Sequence, residues 1–164
     1  MIEVKIKKLA PEAVVPSYAK PGDAGMDITS VSKLYDKDGN VSYGTGLAFE
    51  IPEGYVGLLF PRSSNSKKEL VLTNSVGVLD SGYRGEVFFK FKPMAYFAGN
   101  LDVDGVDSDT YDETCLAADD VDDYNVGDKI GQIIIMPYPK VSFVEVDELS
   151  TSERGTGGFG STGK

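Results

Sequence analysis

A chain of 164 residues, 41% of them hydrophobic, is long enough to bury one real core and too apolar to stay disordered throughout. Its formal charge of -10 argues against broad binding to nucleic acid or an anionic membrane, so any polyanion it binds must meet a local cluster of cations or a metal ion. The absence of histidine excludes histidine general bases, Ser-His-Asp triads and His-containing zinc sites.

The first predicted element is a half-buried strand, because Ile2, Val4 and Ile6 alternate with Glu3, Lys5 and Lys7. Its flanks lack the long apolar run of a secretory signal, and nowhere do 18 apolar residues follow one another, so no membrane span is expected. Residues 47–61 read as two strands joined by the Pro-Glu-Gly turn at 52–54. Residues 69–92 predict a hairpin and then a strand, with Val87, Phe89 and Phe91 on one face. Residues 129–139 read as a buried strand closed by prolines, and 141–146 alternate once more. No stretch holds a helical period over ten residues with caps, so the expected class is all-β, a sandwich or jelly-roll-like barrel.

Two segments stand outside this pattern. Residues 98–124 carry nine aspartates and Glu113 without a single lysine or arginine. Residues 150–164 form a Ser/Thr/Gly-rich tail containing Arg154 and Phe159. The expected organisation is therefore one β domain over 1–149, interrupted by the acidic insertion 98–124, and a flexible glycine-rich lid over 150–164. Cys115 is the one cysteine, so no internal disulfide can form, which fits a reducing cytoplasm.

The polar residues that punctuate the strands fall into five segments. These are Ala24-Gly25-x-Asp27, Pro61-Arg62-Ser63-Ser64, the glycine-rich stretch 74–86 with Asp80 and Tyr83, Gly127-Asp128-Lys129-Ile130-Gly131-Gln132, and 154–163 with Arg154, Phe159, Gly160, Ser161 and Thr162. Taken singly, each has an ordinary reading: Pro-Arg-Ser-Ser, Asp-Ser-Gly and Gly-Asp-Lys are common turns, and Phe159 could be a packing anchor. In this order on an all-β chain, they resemble the five motifs of the trimeric dUTPase family, over nearly the whole chain. The departures are Lys129, where the family often has arginine, Gly131, where alanine is usual, and the acidic insertion, which looks most like that of dUTPases from staphylococcal bacteriophages.

The resemblance implies a β-clip, jelly-roll-like fold and hydrolysis of dUTP to dUMP and pyrophosphate, keeping uracil out of DNA and supplying dUMP. With no histidine present, a carboxylate is the natural base, and the resemblance gives that role to Asp80. It gives Asp27 the role of holding Mg²⁺ through water, as suits an ion that dehydrates reluctantly. Ser63, Ser64 and Gln132 look like phosphate donors, while Arg62 could support either Asp80 or the phosphates. Asn74, Gly77 and Tyr83 belong to the stretch expected to read uracil and exclude a 2′-hydroxyl. Arg154, Gly160, Ser161 and Thr162 resemble a clamp on the γ-phosphate, with Phe159 stacking on the base. The family further implies a homotrimer whose sites are shared between subunits.

Two alternatives differ in class. A dCTP deaminase-related enzyme shares the fold, but the position of its catalytic glutamate corresponds here to Lys90. A nucleotide-sensing regulatory protein would use 98–124 to contact a basic, repressor-type partner; the plainer reading of that run is a solvated loop.

Overall fold

The computed structural model describes residues 2–94 and 122–158. Ten strands follow in chain order: β1 (Lys5–Lys8), β2 (Met26–Thr29), β3 (Ser32–Tyr35), β4 (Val41–Gly44), β5 (Leu47–Glu50), β6 (Tyr55–Phe60), β7 (Leu70–Leu72), β8 (Gly77–Leu79), β9 (Phe88–Pro93) and β10 (Lys129–Pro137). A single 3₁₀ turn, Ser63–Lys67, is the only helical element among the described residues. The all-β class and the jelly-roll-like β-clip architecture expected from sequence are what the chain adopts.

The strands form two four-stranded sheets, β2-β10-β6-β8 and β3-β4-β9-β7, and a small β1-β5 pair. Every pairing is antiparallel. Consecutive strands repeatedly change sheet: β2 to β3, β5 to β6, β7 to β8 and β9 to β10. This switching wraps the chain around one core. Ile28, Ile130 and Ile133 enter it from one sheet and Val41, Tyr43, Phe89, Phe91 and Leu70 from the other, all at or near zero exposure. Tyr43 packs edge-on against Phe91 and Tyr124, each ring centroid 5.9 Å away. The Tyr43 hydroxyl donates to the Tyr124 carbonyl at 3.0 Å, so its polar end is satisfied inside the core.

Three details depart from the sequence reading. The first strand begins at Lys5, because its partner β5 is followed by Ile51 and Pro52, and proline has no N–H to extend the ladder. The expected hairpin over 69–80 is not one: β7 pairs with β9 and β8 with β6, so the chain crosses between sheets at 73–76. Ser75 turns that corner with φ +58°. Finally, residues 141–146 are not a strand, although they alternate. Among the described residues no strand pairs with them, and Phe143 is 95% exposed with Leu149 at 88%.

Candidate active site

Register brings the first, second and fourth motifs together. On β10, Gln132 faces Asp27 of β2 on one side and Phe60 of β6 on the other, and Phe60 leads directly into Pro61 and Arg62. The Gln132 amide donates to the Pro61 carbonyl at 3.1 Å. Its side chain lies so close over Gly25 that any Cβ there would strike it, which gives the Ala-Gly-x-Asp pattern a steric reason. Gly131 is fixed in the same way, since a methyl group would run into the Phe89 ring. That is why glycine replaces the family's usual alanine beside a phenylalanine.

Asp27 has two cationic partners. Arg62 Nε donates to its Oδ1 at 2.8 Å and Nη2 reaches Oδ2 at 3.5 Å, while Lys129 Nζ approaches Oδ2 at 2.9 Å. Partial burial pushes the Asp27 carboxyl up, but the Lys129 ammonium and the Arg62 guanidinium outweigh it and hold the group below the usual carboxylate range. Sequence left Arg62 between Asp80 and the phosphates; within this chain its guanidinium pairs with Asp27 and reaches the Ser64 hydroxyl at 3.4 Å. Ser63 and Ser64 open the 3₁₀ turn, which Ser66 ties down through a hydroxyl bond to the Ser63 carbonyl at 2.8 Å. The result is a small, net-positive patch that two backbone-anchored elements hold in place.

The third motif lies apart. Asn74, Gly77, Val78, Asp80, Tyr83 and Phe88 line a cavity of about 260 Å³. Gly77 is buried against Leu59, where a side chain would collide. The turn after β8 closes with Tyr83 N–H donating to the Asp80 carbonyl at 3.1 Å, and the Tyr83 hydroxyl donates to the Glu86 carbonyl at 2.9 Å. The root of the loop is pinned by Thr45, whose hydroxyl donates to the Val87 carbonyl at 2.8 Å, and by the Glu86 carboxylate, which accepts the Gly46 N–H at 2.8 Å. Asp80 is exposed and has no side-chain hydrogen bond or ion pair among the described residues. A larger cavity of about 420 Å³ sits nearby, but Glu3, Glu50 and Glu53 face only Lys5 and Arg84 there, so it is a poor anion site.

Arg154 is exposed and, among the described residues, bonds only within its own turn, to the Gly157 carbonyl at 2.9 Å. Phe159, Gly160, Ser161 and Thr162 lie outside the described residues, as does most of the acidic insertion with Cys115. Among the described residues no hydrogen bond or ion pair joins the Asp27–Arg62 patch, the Asp80 cavity and Arg154. Among the described residues they stand as three separate groups. Lys90, at the position where a deaminase would carry its glutamate, is exposed and paired with Asp36.

The C-terminal root of the insertion reaches the second motif. The Tyr124 hydroxyl donates to Asn65 Oδ1 at 3.1 Å, Lys68 pairs with Asp122 at 2.7 Å, and Asn65 N–H bonds the Arg62 carbonyl at 2.9 Å. Asp123 is held by Lys33 at 2.7 Å and by the Tyr35 hydroxyl at 2.6 Å. Nothing in the composition of the acidic run marked these last residues as structural. Lys129, too, was visible only as a variant of a motif until its partner was.

Among the described residues, no group of three or more Cys, Asp or Glu side chains could hold a metal ion between them. Asp27, a lone carboxylate with two cations already on it, fits a divalent ion only through intervening water. Among the same residues, no helix is long and apolar enough to cross a membrane.

An all-β fold, a small cationic patch around Asp27 and a separate cavity beside Asp80 are features that suit a nucleotide-handling enzyme. Comparison with known proteins agrees. The dUTPase family model matches residues 11–95 and 116–163. The deoxyuridine 5′-triphosphate nucleotidohydrolase of Clostridium acetobutylicum is 37% identical over 167 residues, covering 99% of this chain and 98% of the relative. That of Thermobifida fusca is 35% identical over 164 residues, covering 99% of this chain and 79% of the relative. Among solved structures, Staphylococcus bacteriophage 80alpha dUTPase with dUPNHPP superposes with a TM-score of 0.75 at 28% identity, covering 100% of both chains. A variant of the dUTPase from phage phi11 of S. aureus, whose structure describes coordination of a structural Mg(II) ion, gives 0.66 at 29%, covering 92% of this chain and 100% of that one. The chain belongs to the dUTPase family, and so to the dUTP diphosphatases.

Proposed function

We propose that this chain hydrolyses dUTP to dUMP and pyrophosphate by in-line attack of water on the α-phosphorus, with Asp80 as the base. The observation that carries this reading is the contrast between two carboxylates. Asp27 is held ionised by Arg62 and Lys129, whereas Asp80 stands at the rim of a cavity with no cation on it among the described residues. Surroundings this different divide the roles of the two carboxylates, one bound up with cations and one open to the cavity.

In the proposed reaction Asp80 accepts a proton from the water as its oxygen bonds to the α-phosphorus. The bond from that phosphorus to the bridging oxygen breaks, and pyrophosphate leaves. Arg62, Ser63, Ser64 and Gln132 hold the phosphate chain, using a rigid guanidinium fork and donors fixed on β10 and the 3₁₀ turn. A magnesium ion held by Asp27 through water supplies charge neutralisation of the triphosphate. Asn74, Gly77 and Tyr83 hold uracil and deoxyribose, and the tail closes with Arg154, Gly160, Ser161 and Thr162 on the γ-phosphate and Phe159 on the base.

The three partial sites become one in a homotrimer. Support comes from the apolar residues left open at 141–149 and from an apolar cavity of about 310 Å³ formed by residues such as Ile6, Tyr18, Met26, Ile133 and Ile135. Both are surfaces that a second copy can cover. The test is separation of products after incubation with Mg²⁺ and either dUTP or dCTP. The expected products are dUMP and pyrophosphate from dUTP alone; deamination of dCTP with dUTP untouched rejects the reading.

The bonds from Tyr124 and Asp122 to the 62–68 turn favour a second role. A basic protein held by 98–124 and a nucleotide held at Arg62–Ser64 would each bias the same turn. Deleting 98–124 is expected to abolish such a protein contact; if hydrolysis and every protein contact persist unchanged, the binding surface is refuted.

A further inference from the structure

We infer that Lys129 is a substrate-binding residue, an exchangeable cation that leaves Asp27 for a phosphate oxygen when the triphosphate enters. The inference rests on the dUTPase reading above and adds to it a residue with no role so far.

The first observation is a break in register. On β10, Gln132 faces Asp27 and Gly131 faces Ile28, but Lys129 faces Thr29, so one extra residue is inserted between Lys129 and Gly131. Side chains alternate along a strand, and a one-residue bulge reverses the face of everything beyond it. Without the bulge, Lys129 would share the inward face of Ile133. With it, Ile130 and Gly131 are both buried in succession and Lys129 emerges on the outer face, beside Asp27 and Gln132. The backbone irregularity thus delivers an ammonium group to the patch that holds the phosphate donors.

The second observation is the contrast between the two cations on Asp27. Arg62 grips with two nitrogens, leaves the strand next to its anchor and is the less exposed, at 31% of its side chain. Lys129 offers a single contact to Oδ2 at 2.9 Å, and 54% of its side chain is open to solvent. A guanidinium in a forked pair is fixed, whereas an ammonium on a four-carbon stem is a mobile point charge, and exposed single-contact pairs of this kind contribute little. When a triphosphate brings its negative charge to the patch, Lys129 is the cation free to follow it. Its departure uncovers Oδ2 of Asp27, the oxygen then available to the water shell of a divalent ion.

The test measures binding of dUPNHPP and of dUMP to wild type, Lys129→Met and Lys129→Arg by calorimetry without added metal, with circular dichroism and thermal melting as controls for folding. Lys129→Met is expected to weaken dUPNHPP roughly tenfold, about 1.4 kcal/mol, and dUMP less than about twofold by the same relation. Lys129→Arg is expected to restore most of the loss. Unchanged dUPNHPP binding in Lys129→Met overturns the assignment. So does an equal loss for both ligands, which would make Lys129 a mere counter-ion for Asp27. Should Lys129→Met fail to fold, Lys129→Gln supplies the same comparison. A wild-type chain that binds neither ligand overturns the dUTPase reading itself, and the assignment with it.

Discussion

Replacing Asp80 by asparagine is expected to lower kcat for dUTP by roughly 10²–10⁴-fold, the range a positioned general base supplies, while the affinity for dUPNHPP changes little. Asparagine preserves the size of the side chain and its place at the end of the turn, because the bond that closes that turn uses the Asp80 backbone carbonyl rather than the carboxylate. The carboxylate makes no other contact among the described residues, so its replacement leaves no buried partner unsatisfied and should not unfold the domain. Loss of turnover with retained binding and an unchanged melting temperature would isolate proton transfer as the missing element. Single-turnover kinetics beside calorimetric titration checks this. A variant with near-normal rates would remove Asp80 from the chemistry and leave Glu86 as the remaining carboxylate lining the cavity.

Removal of residues 154–164 is expected to lower kcat/KM by about 10²-fold or more. Stacking of a base on an aromatic ring contributes about 1–3 kcal/mol, and a charge-assisted bond to a phosphate about 1.5–3 kcal/mol; even the lower figures together exceed a tenfold effect. The β core should be indifferent to the loss. Residues 150–156 are exposed, and the bonds of Arg154 and Gly155 stay within the segment itself. Thermal melting and circular dichroism of the truncated chain should therefore match the full one. A truncation product that unfolds would make the tail structural, and one that keeps full activity would leave the γ-phosphate without its clamp and refute the lid.

How far the sequence could be read depends on what each signal encodes. Period-two alternation reports which face of a strand is buried, and it reported correctly for Val87, Phe89 and Phe91, all nearly inaccessible. It does not report which strand lies alongside. Hence β7 and β8 looked like a hairpin although they belong to opposite sheets, and 141–146 looked like a strand although nothing among the described residues pairs with it. The motif segments were recognisable only together and in order, and the register of β10 against β2 sets Gln132 of the fourth opposite Asp27 of the first. Two partnerships were invisible. Sequence left Arg62 between Asp80 and the phosphates and gave no sign of its pairing with Asp27, which follows from the β2-β10-β6 register. Lys129 gained meaning only with the bulge, a one-residue slip that no propensity marks.

The claim at the centre of this account is that water bonds to the α-phosphorus of dUTP. It is tested most directly by carrying out the hydrolysis in water enriched in oxygen-18 and weighing both products by mass spectrometry. The expected result is one heavy oxygen in dUMP and none in pyrophosphate. Heavy oxygen in pyrophosphate with unlabelled dUMP would place the attack on the β-phosphorus and contradict the arrangement proposed around Asp80.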